Sequence, residues 1–83
     1  MEEKKPTPQE IAEENKKIRT LRFMVDLTIS LISQGEMTRD EALEHLLKVK
    51  EFALKLFPGK EEVFEIIYAP RFKRIINEIY GLH

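Results

Sequence analysis

Between Leu21 and Ser33 the chain reads LRFMVDLTISLIS. At about 100° per residue, Leu21, Val25, Ile29 and Ile32 fall on one stripe, with Phe23, Met24, Leu27 and Leu31 on the flank beside it. Apolar side chains therefore cover well over half the circumference. Polar residues are confined to a strip of Arg19, Arg22, Asp26, Ser30 and Ser33, in which Arg22 and Asp26 have the i,i+4 spacing of an ion pair. So apolar a helix predicts neighbours on at least two of its sides. Toward the N-terminus only a narrow seam continues, because Ile11, Ile18, Val25 and Ile32 recur every seven residues with Leu21 between them. Contact is thus expected to broaden along the helix from one partner to two.

The ends of the elements are marked. Thr7-Pro8-Gln9-Glu10 combines a capping box with proline at the first helical position, and Gly35 is the expected left-handed terminator. Thr38-Arg39-Asp40-Glu41 repeats the box, with Met37 where a hydrophobic staple would sit. A second helix is predicted from Arg39 to about Phe57. Its stripe is Ala42, Leu43, Leu46, Leu47, Val49, Ala53, Leu54, Leu56 and Phe57, and its solvated face carries Glu44 before Lys48 and Glu51 before Lys55. A connection as short as Gly35 to Met37 makes these two helices an antiparallel hairpin.

Pro58-Gly59 ends the second helix, and Glu61 and Glu62 suit the start of a third whose inner stripe is Val63, Phe64 and Ile67. Pro70 then disfavours helical geometry at Ala69 and removes a backbone donor. Beyond it the stripe becomes Phe72, Ile75, Ile76 and Ile79, rotated by about 100° or more. A break or sharp kink is expected there, with a last helix from Pro70 to about Tyr80 and Gly81 past its end. The predicted fold is an all-α bundle of three to four helices built on the hairpin of two long ones. Residues 7–83 form its single domain, behind a disordered tail of residues 1–6.

Composition narrows the possibilities. Eighty-three residues without cysteine exclude disulfide staples, and with His45 and His83 as the two histidines no metal or other cofactor is expected. Stability must come from helix packing, aided by a second copy of the chain. Fourteen basic against fifteen acidic residues give a net charge of -1, with no general pull toward nucleic acid or membrane. The N-terminal MEEKKPTPQE has no apolar h-region, so the cytoplasm is the expected compartment. The run from Phe23 to Ile32 is far short of the ~20 residues a membrane span needs and is interrupted by Asp26. Abundant Lys, Glu and Ile with few Asn and Gln resemble heat-adapted composition, a reading that thermal unfolding would test.

Three constellations compete as functional sites. In Tyr68-Ala69-Pro70-Arg71-Phe72-Lys73-Arg74, cations stand at the expected start of a helix, where the macrodipole disfavours them. Arg71, Lys73 and Arg74, with Lys16, Lys17, Arg19 and Arg22 on the first helix, would make a basic patch for nucleic acid if the clusters adjoined. The plainer reading makes Phe72 core, Arg71 solvated, and Arg74 an i,i+4 partner of Glu78. Second, His45 lies at i+4 from Glu41 and could act as a general base, but no nucleophile is identifiable beside it. Thr7 and Thr38 are explained as caps, and glycine-rich phosphate loops are absent, so an enzyme is not expected. Third, Ile11 and Ile18 extend about two turns beyond the reach of the second helix. With Leu21 they form a seam suited to a second helix. The sequence therefore points to a small non-enzymatic helical interaction module that forms a homodimer or binds a protein partner, with a nucleic-acid-associated regulator as the alternative.

Overall fold

A computed structural model describes residues 5–81. Four helices follow one another: α1 Pro8–Ser33, α2 Arg39–Leu56, α3 Glu61–Ile67 and α4 Ala69–Tyr80. No strand occurs among the described residues. Of the tail expected over residues 1–6, the first four lie outside the described residues, and Lys5 and Pro6 are exposed and precede the first helix. The last two residues of the expected domain, 82 and 83, also lie outside them.

The caps form where the sequence marks them, with one difference. Thr38 accepts from the Glu41 N–H at 3.1 Å, while the Thr38 N–H donates to Glu41 Oε1 at 3.1 Å, completing the box. The Thr38 N–H, and after it the Thr38 hydroxyl, favour the ionised carboxylate and hold the Glu41 pKa below its ordinary value. At α1 only half of the box exists: Thr7 Oγ1 accepts from the Glu10 N–H at 3.1 Å, with Pro8 in the first turn. The α1–α2 turn passes through Gly35 at φ +70°, a conformation that glycine adopts without strain.

Pro70 separates two helices. The break is a single residue, Tyr68, whose carbonyl accepts from the Arg71 N–H at 3.1 Å and, more weakly, from the Phe72 N–H at 3.4 Å. Ala69 already belongs to α4, one residue earlier than the sequence places its start. Pro70 is tolerated because the first turn of a helix needs no N–H from it.

Helix α1 packs on α2 and on α4, α4 also packs on α2, and α3 rests on α2 and α4. Helices α1 and α3 do not pack on each other. The core comprises Leu21, Val25 and Ile32 from α1, Ala42, Val49 and Ala53 from α2, Phe64 from α3, and Ala69, Phe72 and Ile76 from α4. Phe72, Ile32 and Val25 are fully buried. Alanines at Ala42, Ala53 and Ala69 lack the bulk that would hold neighbouring helices apart. Thr28 is buried in the same row as Leu21, Val25 and Ile32. At the far end Tyr80 donates its hydroxyl to the Met37 carbonyl at 2.6 Å, fastening α4 to the α1–α2 turn.

Several expectations about cover need correction. Phe23, Leu27 and Leu31 are 65%, 44% and 39% exposed. Both partners of α1 meet the Leu21–Val25–Ile32 side, so nothing among the described residues covers the opposite flank. Leu47 on α2 is exposed as well. Of the inner stripe expected on α3 only Phe64 is buried, while Val63 and Ile67 are exposed, because α1 does not reach them. Asp26 pairs with Arg71 of α4 at 3.0 Å rather than with Arg22, an interhelical contact that local spacing cannot reveal.

Candidate functional site

Leu21 of α1 and Ala53 of α2 line one groove, which fixes how the hairpin is aligned. With the helices antiparallel, the end of α2 at Leu56 lies about level with Ile18. Every residue from Lys5 to Lys17 is exposed. The first ten residues of α1 therefore stand free of the bundle, a projection of about 15 Å. A free helix of that length is marginal in water unless something packs on it.

At the root of this projection, the gap between α1 and α3 forms an apolar groove of about 350 Å³. Ile18 and Leu21 form one wall, and Val63, Phe64 and Ile67 the other. Ala53, Phe57 and Tyr68 also line it, and the Arg22 and Lys60 side chains bring two cations to its edge. Phe64 and Tyr68 meet with ring centroids 5.7 Å apart, in a tilted arrangement that favours contact between the rings.

The three residues singled out from the seam fall in three environments. Ile11 is 48% exposed on the projection, Ile18 is half-buried at the mouth of the groove, and Leu21 is 4% exposed and belongs chiefly to the core. They share one side of α1, so the seam leads from solvent into the groove and on into the bundle. The groove itself, and the exposed row Phe23–Leu27–Leu31, were not visible in the sequence, where both read as core. A signal existed for the row alone: it lies about 130° from the centre of the buried stripe, too far for one layer of helices to cover both.

Of the two basic clusters, the one on α4 is largely matched by carboxylates and the one on α1 is not. The Arg71–Asp26 bridge sets the start of α4 against α1 one turn beyond Arg22. Arg71 is thereby matched by a carboxylate, and Arg74 contacts Glu78 at 3.3 Å. Lys73 lies close enough to Glu65 to help lower that carboxyl's pKa, although the larger cause is Lys50. Lys16, Lys17, Arg19 and Arg22 are exposed and make no ion pair among the described residues. Their positions spread over more than half of α1, so they do not form one basic face.

His45 is half-buried on α2, beside Glu41. Among the described residues, no group of three or more His, Cys, Asp or Glu side chains could hold a metal ion. The densest charge cluster is structural: Lys50 of α2 reaches Glu61 at 2.8 Å and Glu65 at 2.6 Å on α3. The two carboxylates raise the Lys50 pKa, and Lys50 lowers that of Glu65. No described helix is long and apolar enough to cross a membrane. Comparison of the chain with protein-family models, curated proteins and solved structures finds no match.

Proposed function

We propose that this protein is a non-enzymatic helical interaction module that acts by self-association through the N-terminal half of α1. The observation that carries this reading is the free projection of Pro8–Lys17, with Ile11 exposed and its seam running into an open apolar groove. Burying such a surface would stabilise the projection and remove apolar area from water at roughly 25 cal/mol per Å². A second copy offers the same surface, and a two-fold interface needs only self-complementarity.

The nucleic-acid alternative has weaker support. Arg71 and Arg74 are already matched by carboxylates, and the cations of α1 are spread around the helix. An affinity for duplex DNA falling steeply with salt would revive it.

The test is the molar mass in solution of the wild-type protein and of two variants, Ile18→Glu and Ile11→Glu. Ile11→Glu alters a position outside the bundle and leaves the fold unchanged by circular dichroism. A wild-type dimer that both variants weaken supports the proposal. A wild-type monomer at all concentrations contradicts it.

A further inference from the structure

The charges of the projecting helix are segregated. Glu10, Glu13 and Glu14 supply three acids and no base to its first two turns, and Lys16, Lys17, Arg19 and Arg22 supply four bases and no acid to the next two. None of the seven makes an ion pair among the described residues. The groove lies at the basic end, between Ile18 and Ile67, with Arg22 and Lys60 at its edge. Its apolar walls call for an apolar side chain, and its rim calls for acidic neighbours. One described segment carries both: Ile11, exposed and flanked by Glu10, Glu13 and Glu14.

That segment cannot enter its own groove, because Ile11 and Ile18 belong to one straight helix, about 10 Å apart along its axis. A second copy can supply it. We infer that two chains pair with their α1 helices antiparallel, each placing Ile11 in the α1–α3 groove of the other. This inference rests on the self-association proposed above. In this arrangement the acidic turns of each helix lie alongside the basic turns of its partner, whereas parallel pairing would set acid against acid and base against base. The antiparallel pair is also isologous: one two-fold axis between the helices creates two identical Ile11–groove contacts, and the assembly closes at two copies. The exposed row Phe23–Leu27–Leu31 lies on another side of α1 and takes no part.

The chain has no cysteine, so single thiols report the orientation without background. Pro8→Cys and Arg22→Cys introduce them at exposed positions beside the seam, on either side of the proposed two-fold axis. The two variants are mixed and treated with a short bis-maleimide linker, and the products are separated by mass after tagging one variant. Antiparallel pairing predicts that the 8–22 product forms at least tenfold faster than the 8–8 and 22–22 products. Products 8–8 and 22–22 in excess, from a sample whose light-scattering mass is that of a dimer, would overturn the orientation while leaving self-association standing. A dimer mass with no cross-linked product would also overturn it and place the contact elsewhere. A monomer mass would remove both the orientation and the self-association on which it rests.

Discussion

Phe23 and Phe72 show how little residue type says about role in this chain. Both are aromatic residues in strongly apolar stretches, yet Phe72 is fully buried between the helices and Phe23 is 65% exposed. Removing the Phe72 ring should leave a cavity in the centre of the bundle. Phe72→Ala is expected to cost about 3–5 kcal/mol, measured by urea unfolding. Phe23→Ser is expected to change stability by less than about 0.5 kcal/mol in the same assay, because no other helix among the described residues covers that ring. Periodicity identified the Leu21–Val25–Ile32 stripe correctly, since one face repeating at 3.6 residues is a local property. It misassigned Phe23, Leu27 and Leu31, because whether an apolar flank is covered depends on where other helices go. The same limit explains Asp26, whose local partner Arg22 was legible and whose actual partner Arg71 lies in another helix.

Helix boundaries were the most legible feature, because caps are local chemistry. Thr7, Thr38, Gly35 and Gly59 stand at the ends of elements where their side chains or positive φ require them. The contribution of α3 was less legible. Its attachment depends on Phe64 and on the Lys50–Glu61–Glu65 cluster, and neither is visible as a contact in one dimension. The cluster has a pH dependence whose sign is fixed. The lowered Glu65 pKa contributes stability above the ordinary carboxylate range and loses it as the pH falls through the folded value. The raised Lys50 pKa contributes below the ordinary lysine value and loses it as the pH rises through the folded one. Acidification through the carboxylate range should therefore loosen α3 first, seen as faster amide exchange at Phe64 to Ile67 than at Val25 to Ile32 once intrinsic rates are removed. Lys50→Met should abolish that difference in acid sensitivity. In α1 a second contrast is expected. Amides of Gln9–Lys17, which lack tertiary cover, should exchange near the unprotected rate in dilute solution and gain protection as concentration rises. Protection independent of concentration would mean that the projection is stable alone.

At the scale of the whole molecule, two structural facts combine. The bundle is complete without the first ten residues of α1, and it leaves open the groove beside which those residues emerge. The projection was foreseeable from the unequal lengths of the first two helices. The groove was not, because it exists only through the failure of α1 and α3 to meet. Together they are the observations behind the proposed self-association, and the charge segregation along α1 is the one behind its proposed orientation. Because the charges are exposed, salt should weaken the pairing without abolishing it, leaving the apolar contacts of Ile11 and Ile18. The most direct measurement is the absolute molar mass by light scattering across a range of protein concentrations. The account predicts a rise from 9.8 kDa toward twice that value for the wild-type chain, at higher concentrations in high salt, and 9.8 kDa throughout for Ile11→Glu. A wild-type mass fixed at 9.8 kDa, or a dimer unaffected by Ile11→Glu and Ile18→Glu, would contradict it.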